Sequence, residues 1–392
     1  MQRLILVLVL LVSVVGNAYA SEPLLVEKQS FSFENYTTVG GETIPEVTIG
    51  WESYGELNAA KDNVILITHF FSGNSHAAGK YSADDALPGY WDSIIGPGKA
   101  IDTNKYFVIS SDTLVNAFAN DPNVITTGPA SVNPETGKPY GLDFPVVTIR
   151  DFVNVQKRLL ESLGIEQLHA VVGASMGSLQ ALEWSVAYPD AVERMVSVIG
   201  AGAMDAWTIM ALEHWARPIK HDPNFNGGDY YDGEAPLTGV ASTLAMITQQ
   251  AMHPVIMNMR APKPEVLPEA ALESVLNSTP VLDYLFANSL ARAPLADGNH
   301  ILYLVRANQL FVAGHQGDLA SGLANVKAKT LFLPASNDLL LQPYLAKQAA
   351  DILTEQGKAP QYEEIEGLWG HLDGLFSIPS KADTLKAFLE SE

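Results

Sequence analysis

The sequence predicts an α/β fold in which a mostly parallel sheet carries helices on both faces. Short apolar runs typical of buried strands alternate with segments whose apolar residues recur at helical spacing. This alternation favours a parallel sheet, because each crossover between parallel strands needs a covering helix. The stretch from about residue 203 to residue 325 breaks the alternation and contains only helix-like patterns. It therefore predicts a helical insertion that caps the sheet.

The predicted strands are short and bounded by turn residues. Val47 to Tyr54 alternates in polarity and ends at Gly55, as an antiparallel strand would. The other strand predictions are apolar runs: Asn63 to Thr68, Tyr106 to Ser110, His169 to Val172, Met195 to Ile199, Thr330 to Leu333 and Tyr362 to Ile365.

Helices are predicted between these strands and in the cap. Ile149 to Leu163 has a helical period and ends before Gly164, and Tyr344 to Gln356 connects the last two strands. The helical segments of the cap are Asp205 to Arg217, Thr238 to Met252, Pro268 to Asn277 and Val281 to Arg292. We therefore expect a core of residues 21–202 and 326–392, with residues 203–325 forming the cap.

The first twenty residues have the pattern of a secretory signal peptide. A basic start at residues 1–3 precedes the apolar run Leu4 to Val15, and small residues lead to Ala20. A membrane anchor is the alternative, but a span needs roughly 20 apolar residues. The sequence thus predicts cleavage after Ala20 and, in a bacterial source, a periplasmic or secreted protein.

Composition excludes several classes of protein. The 392 residues include 23 Lys and Arg against 44 Asp and Glu, a formal charge of −21. Nucleic acid is not an expected partner, because a phosphate backbone is bound by clustered cations. Cysteine is absent, so disulfides and thiolate chemistry are excluded. No metal-ligand or nucleotide-binding motif occurs, and no cofactor is expected.

The chemistry is centred on a G-x-S-x-G motif at Gly173 to Gly177. The motif directly follows the predicted strand His169 to Val172 and precedes an apolar helical stretch. A strand, a tight turn and a helix form the context that a nucleophile elbow requires, with Ser175 as the nucleophile. The alternative is a glycine-rich turn in which the serine only caps the helix.

A nucleophilic serine needs a base and an acid that orients the base. In the α/β-hydrolase fold these follow the serine in the order acid, then histidine. His371 lies in the loop after the last predicted strand, and Asp338 follows the strand before it. We expect Asp373 and Glu366 to be solvated loop residues, and His315 to be structural or pocket-lining.

Two backbone N–H groups are expected to form an oxyanion hole. The first is that of Met176, which follows the nucleophile. The second comes from the loop after the early strand, where Phe71 is the candidate and Phe70 its alternative. The two phenylalanines also suit packing beneath a pocket.

The motifs together resemble the homoserine O-acetyltransferase family of α/β-hydrolases, in an exported, hydrolase-like variant. The resemblance covers most of the chain after residue 20 and is strongest from about residue 46 to residue 200. It implies acyl transfer through Ser175, Asp338 and His371. The matching stretches are His69 to His76, Trp91 to Asp102, Thr127 to Ser131, Asn133 to Gly141, Asp143 to Pro145, Thr148 to Asp151 and the elbow through Trp184, with weaker matches at Asn226 to Tyr230, Asp338 and His371.

Several positions depart from the pattern that the resemblance implies. Transferases of the family carry Asp directly after the catalytic histidine, where it meets the homoserine amine, and this chain has Leu372. The cap motif T-Y-R is replaced by residues 248–250, Thr-Gln-Gln. The arginine expected to hold the substrate carboxylate is displaced to Arg217. A buried amine and carboxylate are costly without paired charges, so these changes argue against homoserine.

Three hypotheses about function follow. The first is a hydrolase of short-chain, acetyl-type carboxylic esters that works through an acyl-enzyme. The second is an O-acetyltransferase that uses acetyl-CoA and a hydroxyl acceptor, although an exported enzyme would meet little acetyl-CoA. The third is a binding protein that kept the fold, against which the ordered triad speaks. The resemblance also leaves open a homodimer formed through the cap.

Overall fold

The computed structural model of the protein describes residues 24–261, 269–315 and 317–391. The predicted signal peptide lies outside these ranges, as does Pro268 at the start of one predicted helix. No helix in these ranges is both long and apolar enough to cross a membrane.

An eight-stranded sheet with the order β1-β2-β6-β3-β7-β8-β9-β10 forms the centre of the described chain. Strands β1 and β2 pair antiparallel, and β2 pairs antiparallel with β6. From β6 to β10 every neighbouring pair is parallel. The strands are β1 (Gln29–Thr37), β2 (Thr43–Tyr54), β3 (Val64–Thr68), β4 (Ile95–Gly96), β5 (Ile101–Asp102), β6 (Phe107–Ser111), β7 (Ala170–Ala174), β8 (Arg194–Val198), β9 (Lys329–Leu333) and β10 (Gln361–Tyr362), of which β4 and β5 form a separate small pair.

Alternate residues of the central strands bury against opposite layers of helices. In β3, Leu66 belongs to one apolar cluster, while Ile65 and Ile67 belong to the other. The first cluster includes the apolar faces of helices α1 and α2 and of the cap, and the second includes the C-terminal helix α12. This two-sided burial explains why these strands are continuous apolar runs.

The helices of the core lie between the strands or, for the last two, after β10, and the cap helices lie between β8 and β9. The core helices are α1 (Ile149–Ser162), α2 (Met176–Ala187), α10 (Pro343–Glu355), α11 (Asp373–Phe376) and α12 (Ala382–Leu389). Those of the cap are α3 (Ala206–Lys220), α4 (Leu237–Ala251), α5 (Pro254–Arg260), α6 (Glu269–Glu273), α7 (Pro280–Arg292), α8 (Gly298–Gln309) and α9 (Leu319–Leu323).

The predicted fold class is confirmed, and the local differences have physical causes. Strand β1 was not predicted, because its exposed residues dilute the apolar signal. Helix α3 continues through Pro218 to Lys220, beyond the predicted end at Arg217. Strand β10 is only two residues long, since Ile365 pairs with Ala335 through an isolated bridge instead.

Candidate active site

Ser175 lies at a strained turn between β7 and α2. Its backbone has φ 56° and ψ −122°, a conformation that a residue with a side chain rarely adopts. The neighbouring glycines allow the turn: a Cβ on Gly173 would lie 2.1 Å from the Gly177 carbonyl oxygen. A Cβ on Gly177 would lie 2.0 Å from the Thr68 carbonyl oxygen. The geometry is that of a nucleophile elbow.

The structure brings the three sequence-predicted residues Ser175, His371 and Asp338 together. Nε2 of His371 lies 2.8 Å from Oγ of Ser175, and Nδ1 of His371 lies 2.6 Å from Oδ2 of Asp338. All three residues are buried. In this arrangement the imidazole can accept the serine proton through Nε2 while the carboxylate fixes its tautomer through Nδ1.

Asp338 is held by the backbone that follows it. Its Oδ1 atom accepts hydrogen bonds from the N–H of Leu340 at 2.8 Å and from that of Leu341 at 3.0 Å. These contacts leave Oδ2 for His371. The carboxylate is therefore oriented before any substrate arrives.

Asp373 holds the loop that carries His371 in place. The prediction that Asp373 is a solvated loop residue is wrong. Asp373 is fully buried, and its Oδ2 accepts hydrogen bonds from the N–H groups of Trp369 at 3.2 Å and Gly370 at 3.1 Å. Its Oδ1 accepts a bond from the Ser377 hydroxyl. The sequence alone does not show whether a carboxylate two residues after a histidine is buried within the loop or exposed to solvent. Glu366 is exposed, as expected.

The proposed oxyanion donors lie in the loop after β3 and at the start of α2. Phe71 and Met176 are both buried, and Phe71 lines the cavity described below together with Ser175. Among the described residues, neither backbone N–H has a hydrogen-bond acceptor. The Phe71 ring packs edge-on against Trp215 of the cap, with the ring centres 5.4 Å apart. The N–H groups are thus available to a ligand oxygen.

A buried polar network holds the loop that contains Phe71 in place. Asp112 accepts a hydrogen bond from the Ser75 N–H at 2.8 Å, and the Asn116 amide donates to the Gly73 carbonyl at 3.0 Å. Lys28 lies 3.1 Å from Glu52 and 3.4 Å from Asp112. Sequence analysis missed this network, because its members are dispersed along the chain.

Glu52 is the fully buried centre of this network. Burial alone would raise the pKa of Glu52, but hydrogen bonding from His76, the charge of Lys28 and hydrogen bonding from Tyr81 outweigh burial and lower it to about 2. The carboxylate therefore stays charged at neutral pH and keeps these donors in place.

The cavity above Ser175 has a volume of about 330 Å³ and is enclosed mainly by apolar side chains of the cap and core. Trp215, Leu212 and Thr208 come from one face of α3. Leu372 lines the cavity next to His371. A cavity of this size suits a small ester.

Two cations that sequence analysis did not single out also line this cavity, Arg260 and Arg292. No Asp or Glu lines it among the described residues. Arg217, to which the arginine that would hold a substrate carboxylate is displaced, does not line it; its side chain is exposed and lies 3.8 Å from Glu213. The reason is the helical period of α3, which turns Arg217 away from the face that carries Trp215.

The remaining candidate histidines lie outside the cavity lining. His315 is half-buried and does not line the cavity. Of the two roles predicted for it, structural or pocket-lining, the pocket-lining role is therefore wrong. His300 is buried, with Nδ1 2.9 Å from the Asn116 carbonyl oxygen and Nε2 accepting from the Ala130 N–H at 3.2 Å. No group of three or more potential metal ligands occurs in the described ranges.

Comparison with known proteins agrees with this fold. The profile of the alpha/beta hydrolase fold family matches residues 85–377. The chain belongs to the α/β-hydrolase family. The structure superposes on that of esterase E22 with a TM-score of 0.91 and 57% sequence identity, covering 93% of this chain and all of the other.

Relatives that are named homoserine O-acetyltransferase place the chain more narrowly. The protein from Symbiobacterium thermophilum is 38% identical over 354 residues, which is 89% of this chain and 90% of the relative. The crystal structure of the homoserine O-acetyltransferase from Bacillus anthracis has 38% identity and a TM-score of 0.91, with 94% of this chain and 99% of the other covered. The chain therefore belongs to the homoserine O-acetyltransferase family of α/β-hydrolases. Its relatives are named as acetyltransferases and esterases, and the chain is an enzyme of the α/β-hydrolase family.

Proposed function

We propose that the protein hydrolyses short-chain, acetyl-type carboxylic esters through an acyl-enzyme on Ser175. The observation that carries the proposal is Leu372, an apolar residue that lines the cavity beside His371 where the family's transferases present a carboxylate to the homoserine amine. Without that carboxylate the cavity offers an amino-acid acceptor no partner for its amine, since no acidic residue lines it in the described ranges.

The reaction has two steps. His371 takes the proton of Ser175 as the serine oxygen attacks the ester carbonyl, and the N–H groups of Met176 and Phe71 stabilise the oxyanion. His371 then protonates the leaving alcohol, which departs and leaves the acyl group on Ser175. A water molecule then attacks the acyl-enzyme while His371 takes one of its protons, and His371 gives that proton to the departing Ser175 oxygen as the carboxylic acid is released.

The second candidate is an O-acetyltransferase that takes its acyl group from acetyl-CoA and passes it to a hydroxyl acceptor. The curated relatives at 34–39% identity, which carry the name homoserine O-acetyltransferase, favour this candidate. The two functions share an acyl-enzyme on Ser175. They differ in the acyl donor that forms it and in the nucleophile, water or a hydroxyl acceptor, that resolves it.

A steady-state assay separates the two candidates. The purified protein and its Ser175→Ala variant would be given a chromogenic acetate ester without an acceptor, and acetyl-CoA with or without homoserine. Many turnovers of the ester in buffer, lost in Ser175→Ala, support the hydrolase. One burst that stalls until an alcohol is added, or efficient homoserine-dependent use of acetyl-CoA, would instead establish the transferase.

We also propose that the protein is exported after cleavage at Ala20. The basic start, the apolar run and the small residues before Ser21 support this. N-terminal sequencing of the protein recovered from the periplasm or medium of a bacterial host tests it: the sequence should start at Ser21, and an intact Met1 in the cytoplasm would contradict export.

A homodimer through the cap is a further proposal. Apolar side chains of the cap are exposed, among them Trp207 at 65% and Met210 at 62% on α3. Sedimentation of the wild type and of Met210→Lys tests this: the proposal expects a dimer that dissociates in the variant, and a monomeric wild type would contradict it.

A further inference from the structure

We propose that Arg292, assisted by Arg260, forms a carboxylate-binding subsite in the active-site cavity, so that the preferred ester is an anion without an amine, such as the acetate ester of a hydroxy acid. This inference rests on the proposed function and specifies its substrate class. It concerns residues of α5 and α7, not the displaced Arg217.

The sign of the charge in the cavity is opposite to that of the whole chain. The protein carries a formal charge of −21, yet the charged side chains that line the cavity in the described ranges are Arg260 and Arg292, beside the imidazole of His371. A cavity lined by one sign of charge concentrates ligands of the opposite sign. An anionic ester would therefore be attracted and a cationic one repelled.

Arg292 is a substantially buried cation, and no carboxylate within the described ranges forms an ion pair with it. Burial lowers the pKa of its guanidinium, and no acidic group offsets that effect. A buried charge without a counter-ion is costly for the folded protein. A carboxylate from the substrate would remove this cost on binding.

Two local contacts explain where the guanidinium sits but leave its donors unused. Arg292 is the last residue of α7, where a cation is favoured by the helix dipole. Its guanidinium carbon lies 4.9 Å from the centre of the Phe118 ring. Neither contact satisfies the N–H groups, which form a planar fork that matches a carboxylate.

Arg260 and Asn288 extend the subsite. The guanidinium carbon of Arg260 lies 5.5 Å from the ring centre of Trp369, two residues before His371. Asn288 lies one helical turn before Arg292 and also lines the cavity. The exposed Arg260 and Asn288 are suited to attracting the anion, and the more buried Arg292 is suited to holding it.

The test uses two acetate esters of the same length and shape. The anionic ester is 4-acetoxybutanoate and the neutral one is 4-acetoxybutanamide, and kcat/KM is measured for each. For the wild type we expect the anionic ester to be preferred by about tenfold or more, the effect of a charge-assisted hydrogen bond. The preference should fall to near one in Arg292→Gln and be partly kept in Arg292→Lys, which retains charge without the fork.

The matched control is Arg217→Gln. It removes one positive charge from the cap at an exposed residue outside the cavity, so the wild-type preference should persist. A wild type that shows no preference would overturn the subsite. So would an Arg292→Gln variant that folds normally and keeps the wild-type preference.

Binding to the inactive Ser175→Ala variant separates this inference from the proposed function. Calorimetry with the product 4-hydroxybutanoate should give a dissociation constant about tenfold lower than in Ser175→Ala/Arg292→Gln, with no such difference for 4-hydroxybutanamide. If the wild type hydrolyses neither ester but this binding difference holds, the hydrolase proposal fails and the subsite stands. Equal binding by both variants would overturn the subsite alone.

Discussion

Nε2 of His371 lies 2.8 Å from Oγ of Ser175, although 196 positions separate the two residues in the chain. The contact depends on two separately fastened loops. Ser175 is fixed by the strained turn after β7, and His371 by the buried carboxylate of Asp373. The proposed chemistry therefore depends on the contacts that hold these two loops as much as on the reacting groups.

Replacement of Asp338 by Asn should cost most of the activity. The amide oxygen would keep the hydrogen bonds from the N–H groups of Leu340 and Leu341, so the amide nitrogen would face Nδ1 of His371 and donate to it. The imidazole would then favour the wrong tautomer. We expect kcat to fall by about 10⁴-fold with KM little changed. Ester hydrolysis measures this, with the exposed Asp351→Asn as the control. A loss smaller than tenfold would remove Asp338 from the proposed triad.

Leu372→Asp should change the pH profile. A carboxylate next to His371 favours the imidazolium, which cannot act as base, so the acid limb of kcat/KM should move up by roughly one pH unit. Leu372→Asn introduces a side chain of the same shape as Asp but without charge, so the acid limb of kcat/KM should stay at the wild-type pH. Identical profiles for the two variants would show that position 372 does not affect the base.

Gly173→Ala should abolish activity and lower soluble yield. The new Cβ would lie 2.1 Å from the Gly177 carbonyl oxygen, so the elbow must shift. Gly233→Ala is the control, because its nearest atom would be 3.8 Å away. Circular dichroism and ester hydrolysis measure both; a fully active Gly173→Ala would contradict the elbow geometry.

Stability should fall in acid through Glu52. Its pKa is lowered from the ordinary value of 4.5 to about 2, so the charged form stabilises the folded state. This stabilisation is complete above pH 4.5 and is lost as the pH falls towards 2, with a total of roughly 3 kcal/mol. Urea unfolding at several pH values measures it.

In that experiment Glu52→Gln should show a weaker fall of the free energy of unfolding over this range than the wild type does. The exposed Glu355→Gln should behave as the wild type. If Glu52→Gln and the wild type lose stability in parallel, the acid sensitivity originates elsewhere.

Sequence patterns predicted the fold and the arrangement of the triad because both depend on local signals. The strand before Gly173, the turn and the helix after Gly177 are contiguous, and the order of Ser175, Asp338 and His371 follows from the topology of a parallel sheet. Burial on both faces made strands such as β3 and β7 recognisable as apolar runs.

The features that prediction missed depend on contacts between distant segments. Arg292 resembles any basic residue in the last turn of a helix, and only the packing of α7 against α4 brings it to the cavity. Lys28, Glu52 and Asp112 give no joint signal, because each comes from a different part of the chain.

The most direct test of the central claim is the lifetime of the acyl-enzyme on Ser175. The protein would be mixed with an acetate ester, quenched in acid at successive times, digested and measured by mass spectrometry. The account predicts an acetyl group on the peptide that contains Ser175, which disappears in buffer alone once the ester is consumed. An acetylated Ser175 that persists until an alcohol is added, or no acetylation of Ser175 during turnover, would contradict it.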